Sequence, residues 1–285
     1  MSGTKQRIVD FLRRTRLLPL ADRAMLLGSV LRNHRANRRF LAAHPGHAVP
    51  PPSLAFDAYN HTNWQLYHEM GLVHARLVAA VVREHLPPGP LRICEWGCGP
   101  ARVVRHLKAM LSGRQVELVG TDYNPRSIAW CRRHLRGIEF VTNGLAPPLP
   151  FQSNAFDCLY ALSVFTHLSE EAHFSWIREL LRVVKPAGIL LLTTHGDACT
   201  GNLLPDERRR YQEGRLVVRG GVEVGKKCFV AFHPAAFIRH RLLAEGEVAE
   251  VAEVAGHLPS PKNFGMIQDV WVVRKKTPGM GSELE

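Results

Sequence analysis

At 285 residues and a formal net charge of +12, the chain is long enough for one large α/β domain with additions, and basic enough to favour anionic partners. It holds no apolar run of ~18 residues, which argues against a transmembrane helix, and its first residues lack a signal-peptide core followed by a small-residue cleavage site. Its six cysteines (94, 98, 131, 158, 199 and 228) include no Cys-x-x-Cys pair, which argues against a zinc site or a disulfide framework and for reduced thiols in a cytoplasmic protein.

The charge is concentrated at the start. Residues 1–45 carry ten basic side chains (Lys5, Arg7, Arg13, Arg14, Arg16, Arg23, Arg32, Arg35, Arg38 and Arg39) against Asp10 and Asp22, a net of +8. Apolar residues recur there at helical spacing, first Ile8, Phe11 and Leu12, then Met25, Leu26, Val30 and Leu31. With Pro19 between the two sets, the spacing predicts two amphipathic helices. Such helices suit packing on a domain or lying on an anionic membrane surface, which would make the protein peripheral to the membrane. Pro50-Pro51-Pro52 marks a linker, so residues 1–50 read as a basic helical segment preceding a domain over 51–276. Phe56 to Tyr67 is dense in aromatic, amide and imidazole groups, and Thr62 or Asn63 is placed to cap a helix continuing through Val82.

Ile93 and Cys94 end a short apolar run after Pro87-Pro88-Gly89-Pro90, which predicts a buried strand; Val103, Val104 and Leu107 resume at helical spacing. Between them lies Glu95-Trp96-Gly97-Cys98-Gly99-Pro100-Ala101. Gly97 and Gly99 let the backbone turn tightly and approach a ligand. A strand, a glycine turn and a helix N-terminus form the nucleotide-binding corner of a doubly wound sheet. The dinucleotide spacing Gly-x-Gly-x-x-Gly fails, because its third glycine falls on Arg102. Glu95 also opposes a pyrophosphate and suits a ligand with an ammonium group and a positive sulfur. Val116 to Asp122 predicts the next strand. An acid at its carboxyl end, about 20 residues beyond the glycines, is placed to hydrogen-bond ribose hydroxyls, with Tyr123 beside it for the adenine.

Glu95 to Ala101 resembles motif I of the class I S-adenosylmethionine-dependent methyltransferases, Glu/Asp-x-Gly-x-Gly-x-Gly, with Ala101 at the third glycine. The resemblance runs over about residues 55–275. It implies S-adenosylmethionine as cofactor and a Rossmann-like α/β fold: a seven-stranded sheet with an antiparallel last strand, here with N-terminal helices and an inserted β-hairpin. It further implies that Asn143, after a third strand at Ile138–Val141, faces the adenine amino group. Ser163, in the Ser-Val-Phe-x-His-Leu segment after a fourth strand at Phe156–Leu162, would lie where backbone carbonyls hold the cofactor's amine. The same resemblance assigns Tyr59, Trp64 and Tyr67 to the cofactor or acceptor pocket. A helix over Glu170–Val184 and the turn Lys185-Pro186-Ala187-Gly188 precede a fifth strand, Ile189–Thr194, as in the family.

Residues 198–233 interrupt the alternation. Leu216–Val218 and Cys228–Phe232, around Gly220-Gly221 and Lys226-Lys227, predict the hairpin, the natural place for substrate selection. A helix over Pro234–Leu243 and strands near Val248–Val254 and Asp269–Val273 complete the antiparallel pair. Residues 277–285 read as a disordered tail.

Methyl transfer needs in-line geometry, a dry pocket and usually a base for the acceptor proton. The candidate bases are His167, His195 and His233; His195 ends the fifth strand and His167 follows the fourth, which favours them, and His233 is placed with the acceptor. An unperturbed histidine titrates near ~6.5, so activity is expected to rise through roughly pH 6 to 7. No Asn/Asp-Pro-Pro-Tyr or Pro-Cys motif points to DNA bases, and no carboxylate cluster points to a metal. A small-molecule acceptor (sugar, lipid precursor or secondary metabolite) is therefore expected and nucleic acid is not; an RNA methyltransferase recruited through the basic N-terminal segment is the alternative. The oligomeric state stays open.

Overall fold

The computed structural model describes residues 18–220, 229–244, 248–258 and 267–277. The sequence features at residues 4–16, at Lys226, Lys227 and Cys228, and in the 278–285 tail lie outside them. The chain forms two compact units that divide between Glu69 and Met70. The linker read at Pro50–Pro52 falls inside the first.

In the first unit, α1 (Leu18–Ala43) is followed by α2 (Pro52–Tyr59) and by the start of α3 (Trp64–His85). Pro19 lies in the first described turn of α1. Asn63 is the α3 cap: its side-chain oxygen accepts from the Leu66 amide at 3.0 Å. Phe40, Ala55, Trp64 and Tyr67 make the small core of this unit, with Tyr59 packed on it.

The second unit is built on a seven-stranded sheet in the order β3-β2-β1-β4-β5-β9-β8. Its strands are β1 (Leu91–Trp96), β2 (Val116–Asp122), β3 (Glu139–Thr142), β4 (Phe156–Ala161), β5 (Val184–Thr194), β8 (Val248–Leu258) and β9 (Gln268–Lys275). The first five pair in parallel; β9 runs antiparallel to β5 and β8 antiparallel to β9. Central parallel strands are covered on both faces, so they read as apolar runs: Ile93, Cys94, Leu159, Leu190 and Leu191 are fully buried.

Helices α4 (Val104–Met110), α5 (Pro125–His134) and α6 (Glu170–Val183) connect these strands. Asn124 caps α5 ahead of Pro125, and Ser169 caps α6 ahead of Glu170 and Glu171, whose charges suit a helix N-terminus. The Lys185–Gly188 segment, expected as a free turn, is carried inside β5. There the register slips from Phe156↔Val184 to Cys158↔Ile189, and Ala187 takes φ +60°. A bulge absorbs the extra residues without ending the strand.

After β5 come a 3₁₀ turn (Asp197–Asn202), α7 (Pro205–Gln212) and the expected hairpin, β6 (Val217–Arg219) against β7 (Val230–Phe232). The helix expected over Pro234–Leu243 is one short turn, α8 (Ala235–Phe237), widening into a π turn at Ile238–Leu242.

Candidate functional site

The carboxyl ends of β1, β2, β3 and β4 converge on one edge of the sheet, where an open α/β sheet takes its ligand. The turn after β1 is anchored beneath: Gly97 N and Cys98 N both donate to Thr121 O, at 2.8 and 3.0 Å. Gly97 has φ +74°, and a Cβ there would lie 2.5 Å from Val164 Cγ2. The missing side chain therefore makes room for the segment after β4, not for open ligand space. Ala101, at the third glycine position, adopts φ +55°. It keeps a glycine's backbone conformation at a cost of roughly 1–2 kcal/mol for a residue with a Cβ.

A first prediction arises here. Gly97→Ala places a side chain at positive φ and against Val164, so it should destabilise by about 2–5 kcal/mol in urea unfolding. Adding Val164→Ala should return the overpacking part, giving a clearly non-additive double-mutant cycle; additive losses mean the two residues do not share this space.

Glu95 is 4 % exposed, and its Oε2 accepts from Val104 N at 2.9 Å and from Tyr160 Oη at 3.0 Å. Burial outweighs these hydrogen bonds and pushes its carboxyl up to about 8. Asp122, at the end of β2, accepts from Gly99 N through Oδ2 and from Asn124 N through Oδ1, both at 2.8 Å. Its pKa is also raised, again by burial first. The glycine turn and the second acid are thus one hydrogen-bonded unit. Tyr123 beside it is half-open to solvent. Asn143 N donates to Asp122 O at 3.1 Å. Its side-chain oxygen accepts from Thr121 Oγ1 at 2.8 Å and its Nδ2 donates to Gly144 O at 2.6 Å. Ser163 takes φ +62°; its amide donates to Thr193 Oγ1 at 2.8 Å and its hydroxyl to Gln268 Oε1 at 3.0 Å.

The histidines divide into two groups. His167 Nδ1 lies 2.6 Å from Phe229 O, and His195 Nδ1 lies 3.1 Å from Ala231 O. A carbonyl only accepts, so in both rings Nδ1 carries the proton and Nε2 is left as the basic nitrogen. The second strand of the hairpin, with the residue before it, sets both tautomers. His195 Nε2 faces the Gln268 amide nitrogen at 3.4 Å. His233, placed with the acceptor by sequence, is 1 % exposed, and its Nε2 is 2.8 Å from His173 Nε2. Since His173 Nδ1 donates to Ser169 O at 2.7 Å, its Nε2 can only accept, and His233 supplies the proton. That pairing makes His233 a core histidine in this structure.

Burial lowers the pKa of His167 and takes His195 to about 4. The expected rise in activity between pH 6 and 7 rested on an unperturbed imidazole, and for His195 that edge moves to about pH 4. Tyr59, Trp64 and Tyr67 are brought together within the first unit, where Trp64 and Tyr67 are buried in its core.

Tyr160, Thr193, Gln268 and Val164 are in the site, and sequence reasoning did not find them. Tyr160 sits opposite Glu95 in the β1–β4 register, and a polar tip inside an apolar strand was its only signal. Gln268 joins the ends of β4 and β5 by accepting from both Ser163 and Thr193, a pairing across more than 70 residues that leaves no local pattern. A shallow cleft lined by Arg92, Glu139, Val141 and residues 150–155 lies at the opposite, amino end of the strands. Among the described residues no group of three or more His, Cys, Asp or Glu side chains could hold a metal.

Residues 93–188 match the family model described as "Methyltransferase domain". Among solved structures the chain is similar to a SAM-dependent methyltransferase from Methanosarcina mazei, at 21% identity over 69% of this chain and 96% of that one, with a TM-score of 0.49. It is also similar to the Burkholderia thailandensis 1,6-didemethyltoxoflavin-N1-methyltransferase, solved with 1,6-didemethyltoxoflavin and S-adenosylhomocysteine, at 18% identity over 72% of this chain and 79% of that one, with a TM-score of 0.49.

Proposed function

We propose that this chain, whose residues 93–188 match a methyltransferase domain, is a class I S-adenosylmethionine-dependent methyltransferase with a small-molecule acceptor: a sugar, a lipid precursor or a secondary metabolite. The observation that carries this reading is the enclosure of the acceptor-side imidazoles. His195 is 4 % exposed, and both His195 and His167 are fixed from the hairpin with Nε2 basic. A polynucleotide requires an open cationic track along its backbone; one buried and one half-buried imidazole, both with pKa lowered by burial, suit a small molecule shut away from water.

The residues present fit the family's cofactor, which when bound supplies an electrophilic methyl group. Asp122 has its two oxygens oriented by Gly99 N and Asn124 N, and each keeps accepting capacity for a ribose hydroxyl. Tyr123 would lie against the adenine, Asn143 would frame it, and Gly97, Gly99 and Ser163 would form the wall near the methionine end. Glu95 would answer the cationic end. Its carboxyl, raised to about 8 by burial, is mostly protonated at pH 7 in the free protein. A cation nearby favours the carboxylate.

Binding should therefore release up to about one proton near pH 7. Calorimetry of S-adenosylmethionine binding in two buffers of different ionisation enthalpy should show the difference, and Glu95→Gln should abolish it. Equal heats in both buffers would place Glu95 outside the binding electrostatics. A screen of sugars, lipid precursors and secondary metabolites with radiolabelled methyl donor then tests the acceptor class. Label appearing on RNA and on none of the small molecules overturns the small-molecule reading.

A further inference from the structure

Helix α1 (Leu18–Ala43) carries apolar side chains on its outward face as well as on its inward one. Its inward face buries Phe40 in the core of the first unit and is otherwise held by polar groups: Ser29 Oγ lies 3.0 Å from Thr62 Oγ1, Asn37 Nδ2 donates to Thr62 O at 2.7 Å, and Asn37 Oδ1 accepts from Trp64 N at 2.9 Å. The outward face carries leucines. Leu20, Leu27 and Leu31 are 60, 62 and 77 % exposed, and with the exposed Ala24 they form one stripe at i, i+4, i+7 and i+11. Hydrogen bonding explains the partly buried Ser29 and Asn37; folding of this unit does not explain the exposed apolar stripe. Contiguous exposed apolar surface on a protein marks an interaction site.

The flanks of the stripe say what covers it. Arg23, Arg32, Arg35, Arg38 and Arg39 are all exposed on the same helix, and Asp22 is its one acidic residue. A row of leucines with Arg23 and Arg35 on either side and Arg38 in line beyond it matches a bilayer interface, where the apolar face sinks below the headgroups and the cations meet anionic phosphates. A second copy would set one arginine-rich helix against another, and like charges oppose that. RNA would use the arginines and leave the leucines without a role, because nucleic-acid surfaces bind through charge and aromatic stacking. We propose that the Leu20–Leu31 stripe of α1 docks this protein on the surface of anionic phospholipid bilayers. Substrates that partition into a membrane would then be met at that surface.

Flotation of the full chain with phosphatidylcholine vesicles, with and without phosphatidylglycerol, tests this. Wild type should float only with the anionic vesicles, and raising salt should release it. Leu27→Glu/Leu31→Glu replaces side chains already in solvent, so its circular dichroism melt should match wild type while binding falls at least tenfold. Arg35→Ala/Arg38→Ala should weaken binding roughly tenfold to thirtyfold. The proposal is overturned if wild type ignores anionic vesicles, or if the leucine variant binds them as well as wild type. It is equally overturned if the leucine substitutions abolish dimerisation in analytical ultracentrifugation, or an RNA gel shift, with vesicle binding unchanged. None of these readouts depends on methyl transfer.

Discussion

Asp122→Ala should weaken S-adenosylmethionine binding by about two to four orders of magnitude in calorimetry. The carboxylate ends β2 beside the glycine turn, and each charge-assisted hydrogen bond to a ribose hydroxyl is worth roughly 1.5–3 kcal/mol. Asp122 also holds Gly99 N and Asn124 N at 2.8 Å, so the alanine variant loosens the turn as well as removing the acceptor. Asp122→Asn separates the two effects. Its amide oxygen can keep one of the backbone amides, while its NH₂ cannot accept from a hydroxyl. The asparagine variant should therefore keep most of the thermal stability that alanine loses and still bind at least tenfold more weakly. Wild-type affinity in both variants would remove Asp122 from the cofactor site.

The parts of this molecule that were legible in the sequence are those whose physics is local. The alternation of buried strands and helices from Leu91 to Thr194 is written in apolar periodicity and in breakers such as Pro87-Pro88-Gly89-Pro90, while the caps Asn124 and Ser169 were not picked out. The glycine turn and the acid after the next strand follow from what a nucleotide corner demands of the backbone. Legibility ends where partners are remote. No spacing pairs Glu95 with Tyr160, or Gln268 with Ser163 and Thr193, because sheet register alone brings them together. His233 looked as available as His167 because burial is invisible in a single sequence, yet His173 takes its Nε2. Gly97 was read as letting the backbone approach a ligand, since a missing Cβ says nothing about what lies beside it; Val164 does. The outward leucines of α1 were missed: the apolar set read at Met25, Leu26, Val30 and Leu31 shares only Leu31 with the exposed stripe, because a helix with apolar residues on several faces gives spacing no single direction.

Replacing His195 and His167, the proposed acceptor-side bases, should give the largest effect on turnover. In both rings the proton sits on Nδ1, held by Phe229 O or Ala231 O, and Nε2 is the nitrogen able to take a proton. Glutamine keeps shape and hydrogen bonding but cannot accept that proton, and a general base contributes about 10²–10⁴-fold. Rigidity at the end of β5 favours His195, while its burial argues the other way. A pKa of about 4 keeps His195 neutral through the physiological range but makes it a weak base, and its Nε2 already faces Gln268 at 3.4 Å. His167 is only half-buried. His167→Gln is thus expected to lose more turnover than His195→Gln, with S-adenosylmethionine affinity unchanged for both in calorimetry. The sign of the pH dependence follows from the lowered pKa values: the neutral, proton-accepting form is lost only on acidification. The acid limb of kcat should therefore lie below the ~6.5 of a free histidine, and near pH 4 if His195 is the base. A limb at the ordinary histidine value would mean that neither buried ring sets it. Retention of most turnover by both glutamine variants would mean that the acceptor is already nucleophilic, an amine or a carboxylate that the site has only to position.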